Sequence, residues 1–226
     1  MMQIKKLIDS ERIRLDQSNL LKTLDNPSIP LKNRLIFLPS IAYFVMSFGD
    51  LNKYILPFQS PKNSWENIIN IHTAEDAEHW IWFIQDLEKL NYALPESFTE
   101  TLKQLWAKEN NENQILFFEL IDLIHNQPAN IRLAIIEAIE VTGNVIFSKL
   151  RDITHNSEYQ LSYCSDIHVN KETGHTIGQD ENMINQITFT EAEREIAVQS
   201  VKRVFKAFVR WYEYLDKLIV TQYNQD

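Results

Sequence analysis

Between about residues 64 and 91 the apolar side chains recur at the spacing of a helix face, and titratable groups occupy the middle of that face. Trp65, Ile68, His72, Asp76, His79, Phe83, Leu87 and Leu90 follow one another every three or four residues. That separation stacks side chains along one side of an α-helix. His72, Asp76 and His79 therefore stand in the core-facing stripe. A polar group buried without a partner costs about 1–3 kcal/mol. A chain that keeps three of them there must pair them with one another, with further inward polar groups or with a metal ion.

The same His-x3-acid-x2-His pattern returns as His168, Glu172 and His175, so the two triplets use four of the six histidines. A helix from about 158 to 178, capped by Ser157, would carry Leu161, Cys164, His168, Glu172 and His175 on one face, with Gly174 and Gly178 loosening its end. A third inward acid lies on a helix predicted to begin near Pro128, whose stripe reads Leu133, Ile136, Glu140, Gly143, Phe147 and Leu150. Glu137 is rotated about 60° from Glu140 by helix geometry, which makes it a substitute ligand rather than the first candidate. Glu75 is the corresponding substitute on the early helix, whereas Glu78 reads as a solvated charge. Gly143 costs ~1 kcal/mol in a helix interior relative to alanine, so it signals a bend or a close approach to the backbone.

These sets supply four imidazoles and three carboxylates from three helices. Mixed nitrogen and oxygen donors of this kind suit iron, manganese or zinc, and two metal ions would need about this many ligands. Helix bundles build such centres from facing helices. The competing reading is a metal-free network of hydrogen-bonded histidines and carboxylates. His125 and His155 fall at predicted helix ends. Cys164, Tyr159, Tyr163 and the Trp80/Trp82 pair read as packing.

The rest of the chain is helical in pattern. Ile4, Leu7, Ile8 and Leu15 make a loose stripe that ends at Asn26-Pro27; a nearly all-apolar helix runs from Leu31 to Ile55, kinked or restarted at Pro39. Shorter helices fall near 98–108 and 113–125, and Thr190 with Glu193 marks the capped start of a last helix to about 222. With no alternating strand pattern, the expected fold class is all-α, a single domain of seven or eight helices.

Composition narrows the function. A net charge of −9 argues against nucleic acid and anionic membranes as partners. No apolar run is read as approaching the ~20 residues of a membrane span. One cysteine suits a reducing cytoplasm. Only four glycines are present, and no glycine-rich phosphate loop, so neither a nucleotide nor a flavin is expected. The aromatic-rich helices could support a homodimer.

His168-x3-Glu172-x2-His175 on a late helix, Glu140 on a middle helix and an acid/His segment ending in His79 on an early one resemble the heme-oxygenase-like di-iron oxidases, within the superfamily that also holds thiaminase-type and pyrroloquinoline-quinone-synthase-type proteins. The resemblance spans about residues 35 to 220. It implies a heme-oxygenase-like bundle, two bound irons (manganese or a mixed pair as the alternative), and O2 and a small organic molecule as substrates. It also implies His79, Glu140, His168, Glu172 and His175 as ligands. The family's early helix usually carries a glutamate seven residues before the histidine; here that position is His72, with Glu75 and Asp76 closer by.

Overall fold

The computed structural model describes residues 2–92, 97–174 and 187–223, the last four of the middle segment by backbone alone. Among these residues every regular element is helical and none is a strand. In chain order they are α1 (Met2–Asp16), α2 (Asn19–Asp25), α3 (Leu31–Arg34), α4 (Ala42–Asp50), α5 (Ser64–Asp76) and α6 (Trp80–Lys89). There follow α7 (Phe98–Leu105), α8 (Asn111–Ile124), α9 (Ala129–Thr154), α10 (Asp166–Gly174) and α11 (Glu191–Tyr223).

The two longest helices, α9 and α11, pack along each other, with α1 and α2 against both and α8 against α11. One face of α11 is buried: Val201, Val204, Phe205, Phe208, Trp211, Tyr212, Leu215 and Ile219 all lie in the core. Its start is fixed by the expected capping box, in which Thr190 N–H donates to Glu193 Oε2 (2.8 Å) and Glu193 N–H to Thr190 Oγ1 (3.3 Å). Tyr212 ties α11 to α9 by donating its hydroxyl to the Thr142 carbonyl at 2.7 Å.

The stretch predicted as one helix from 31 to 55 is divided. Pro39 falls in the first positions of a 3₁₀ turn (Leu38–Ile41) and restarts the chain into α4, which runs on into a π turn at Leu51–Ile55. The widened turn is held from outside: Arg132 of α9 donates to the carbonyls of Ile55 (3.1 Å) and Leu56 (2.6 Å) and covers the Phe58 ring at 4.2 Å. Contrary to the expectation from sequence, Leu31–Ile55 has the length and mean hydropathy (1.4) of a membrane span. Half of its most apolar window is nevertheless buried inside the protein, as in a core segment.

The helix expected from 158 to 178 also differs, beginning at Asp166. Gln160 takes a left-handed conformation (φ 47°), and the backbone N–H groups of Ser162 and Cys164 donate to the Asp86 carboxylate of α6 instead of to a helical turn.

Candidate metal centre

The segment expected to be one helix from 64 to 91 breaks at Ala77–His79, in the middle of the first triplet. No proline or glycine marks the break locally. Gly49 of α4 packs against it: a Cβ there would lie 3.1 Å from the Ala77 carbonyl oxygen and 3.2 Å from Trp80 Cδ1. Glycine lets α4 come this close to the break. His72 and Asp76 remain one turn apart on α5, while His79 becomes the N-cap residue of α6 and is re-aimed.

His72 and Asp76 meet Glu140 from α9. His72 Nε2 lies 3.2 Å from Asp76 Oδ2 and 3.3 Å from Glu140 Oε1, and one ligand atom from each residue lies within 4.8 Å of the other two. His72 and Asp76 are buried; Glu140 is half-buried. Two donors each about 2.1 Å from one ion are separated by roughly 3.0 Å in octahedral and 3.4 Å in tetrahedral coordination. The separations of 3.2 and 3.3 Å fit that range. A single imidazole nitrogen between two carboxylates is a place for one cation, whether a proton or a metal.

His79 and His168 form a neighbouring pair, their ring centroids 4.9 Å apart and nearly perpendicular. Each ring is backed by an aromatic: His79 stacks on Trp82 at 4.8 Å, and His168 on Tyr163 at 4.7 Å with Phe147 against it at 4.0 Å. His168 Nδ1 lies 2.9 Å from the Tyr163 carbonyl oxygen. A carbonyl can only accept, so Nδ1 carries the hydrogen and, in the neutral ring, Nε2 keeps the lone pair.

Asp76, His79, Glu140 and His168 line one cavity of about 80 Å³, whose other walls are largely apolar and include Phe44, Phe48, Phe147, Phe208 and Trp211. A cavity of this size admits more than one water-sized molecule. Four of the sequence-predicted ligands thus share a single apolar chamber, with His72 directly behind two of them. The donor set, its two short separations and its largely apolar surroundings fit a metal of the iron, manganese or zinc type.

Glu172 belongs to α10 by its backbone, but its side chain, and His175 altogether, lie outside the described residues. Glu75 is half-buried on α5, next to Asp76. Glu137 faces α1: burial pushes its carboxyl above the usual value of 4.5, Lys5 counteracts this and Asp9 adds to it. The folded form therefore holds its proton to higher pH than the unfolded chain. Its contribution to stability is full below 4.5 and lost as pH rises through the folded value. Glu137→Gln should match the parent in urea denaturation at about pH 4 and exceed it at about pH 7.

Two further residues shape the site. Asp86, fully buried on α6, was not a sequence candidate, although it lies three residues after Phe83 and four before Leu90, on the buried face. Burial pushes its carboxyl up, against the pull of the loop amides that donate to it. Cys164, in that loop, is buried, and burial together with Asp86 holds its thiol well above the ordinary value, which fits packing rather than reactivity.

Gly143, one turn beyond Glu140, lines the cavity within an unbroken α9. The expected close approach is not there. A Cβ would meet only the Phe147 ring, at 3.7 and 3.8 Å, which is ordinary contact. What the missing side chain leaves is space. Gly143→Ala should raise stability by up to about 1 kcal/mol in chemical denaturation while narrowing the chamber; a loss of stability would mean that the backbone there needs glycine after all.

No family model matches the chain, and the search of curated proteins returns no match.

Proposed function

We propose that this chain is a non-heme di-metal oxidoreductase, most simply di-iron, on a heme-oxygenase-like bundle, acting with O2 on a small organic substrate. The observation that carries the reading is the convergence of His72, Asp76 and Glu140 within 4.8 Å beside a largely apolar chamber that His79 and His168 also line. In this reading His72, Asp76 and Glu140 hold one ion, and His79 and His168 contribute to a second, with Glu172 and His175 completing the set. Manganese or a mixed pair would suit the same donors.

Bound iron would supply O2 binding and reducing electrons. The chain's own residues do the rest. The carboxylates balance the charge of the cations, and the Tyr163 carbonyl fixes the His168 ring through Nδ1, leaving Nε2 as donor. The aromatic walls exclude bulk water, which strengthens every electrostatic interaction inside and protects reactive species from side reactions. The small chamber favours a small, mainly apolar substrate. A single buried thiol fits a reducing, cytoplasmic setting.

The test is anaerobic Fe(II) titration of chelator-treated protein, followed by O2. Two equivalents bound, with an absorbance change on oxygenation, is the expected result. At most one weak equivalent would set the reading aside. One observation favours a second reading in that event: His72 Nε2 between two carboxylates is already a self-consistent hydrogen-bonded set with a proton in place of a metal. The chain would then be a metal-free binding or interaction protein with the same bundle.

A further inference from the structure

We infer that Asp86 is a positioning residue for His168, acting through the loop that joins α9 to α10. Asp86 Oδ1 accepts from Ser162 N–H at 2.7 Å and Oδ2 from Cys164 N–H at 2.9 Å. Between these two amides sits Tyr163. Its carbonyl takes the His168 Nδ1 hydrogen, and its ring stacks on the imidazole. One buried carboxylate thus clamps the chain on both sides of the group that sets the tautomer and the tilt of His168.

The clamp is built for this loop. Two amide donors need two acceptor oxygens held in one plane, which a carboxylate supplies and a carboxamide does not. The loop is also pinned at its edges, where Lys89 Nζ donates to the Gln160 carbonyl at 2.7 Å and Thr154 Oγ1 donates to the Cys164 carbonyl at 2.5 Å. Those bonds hold the loop on either side of Tyr163, whereas only Asp86 takes the two amides that bracket it. The Nδ1–H form is the one that presents Nε2 as an acceptor or ligand, and a second hydrogen-bonded partner of this kind is how proteins orient a ligating imidazole. The tautomer claim concerns the chain alone; its consequence for metal affinity rests on the function proposed above.

The experiment uses long-range ¹H–¹⁵N correlation of the histidine rings in the full-length, metal-free protein at about pH 8, where an ordinary imidazole is neutral, with His168 assigned by His168→Gln. The parent should show His168 as the Nδ1–H tautomer. Asp86→Asn should lower that population several-fold, toward the Nε2–H form that free imidazoles favour. Thr154→Val, which loosens the same loop without touching the Asp86 bonds, should leave it unchanged. If Asp86→Asn does not fold, Asp86→Glu decides on the same criterion, because its extra methylene displaces both acceptor oxygens. An unchanged tautomer in the folded Asp86 variant would overturn the proposal, and so would an equal loss in Thr154→Val. Fe(II) affinity is read separately and should fall about 10–100-fold in the Asp86 variant. A parent that binds no metal would sink the metal reading and leave the tautomer result standing.

Discussion

Glu140→Gln should leave the metal-free protein within about 1 kcal/mol of the parent and weaken Fe(II) binding by more than about 100-fold. Glu140 is the contribution of α9 to the three-residue group, and its Oε1 lies 3.3 Å from His72 Nε2. A glutamine keeps an acceptor oxygen for a His72 hydrogen, so the metal-free contact survives. It removes the negative charge, and with it the hard anionic donor that a divalent ion needs in a poorly solvated chamber. Losing a residue that merely supports a ligand already costs about 10–100-fold in affinity, so losing a ligand's charge should cost at least the upper end. The clean readout is thermodynamic linkage. At free Fe(II) equal to 100 times the parent's Kd, the parent gains about 2.7 kcal/mol of stability. A variant with Kd raised 100-fold gains only about 0.4 kcal/mol under the same conditions. Melting with and without Fe(II) separates the two readings of the site. A parent stabilised by metal, with that gain lost in the variant, fits a ligand role for Glu140. A parent indifferent to Fe(II) leaves Glu140 as a hydrogen-bond acceptor and nothing more.

What the sequence made legible was periodicity, and what it concealed was everything set by a distant neighbour. The His72/Asp76 pair could be placed because both residues sit on one continuous helix face, and Glu140 because an acid interrupting an apolar stripe is conspicuous. The break at Ala77–His79 could not: no proline or glycine lies beside it, and the glycine packed closely against it, Gly49, is on another helix. The π turn at Leu51–Ile55 is hidden for the same reason, since its cap is a guanidinium from α9. The start of α10 was displaced from the predicted helix by Asp86, whose partners are backbone amides and therefore have no side-chain signature at all. Asp86 was nonetheless findable: read with the same rule that singled out Glu140, an acid three residues after Phe83 is a charge on a buried face. Gly143 was noticed for the right reason, its cost within a helix, but its surroundings leave cavity space rather than a close contact.

Trp211→Ala should destabilise the protein by about 3–5 kcal/mol, toward the top of that range, while leaving Fe(II) stoichiometry unchanged. Trp211 is almost fully buried on α11 and serves two structures at once. Its ring packs against Phe44 at 5.2 Å and forms part of the cavity wall, so truncation enlarges an existing space that rigid neighbours cannot collapse to fill. Its Nε1–H donates to Asn113 Oδ1 at 2.9 Å, and Asn113 in turn donates to the Ser40 carbonyl at 2.8 Å, which joins α11 through α8 to the turn before α4. Removing the indole costs the ring contacts and also takes the donor from a buried carboxamide oxygen, itself worth about 1–3 kcal/mol. The two losses share one site and will not simply add. Trp211→Phe separates them, since it keeps most of the ring and loses only the donor, and it should cost about 1–3 kcal/mol. Against a typical total of about 5–15 kcal/mol, the alanine variant falls within reach of unfolding at physiological temperature, so its metal content must be measured well below its melting point. Retained stoichiometry there would show that this wall of the chamber contributes shape and stability rather than ligands. Loss of metal from a demonstrably folded Trp211→Ala protein would instead mean that wall packing holds the ligand-bearing helices in register.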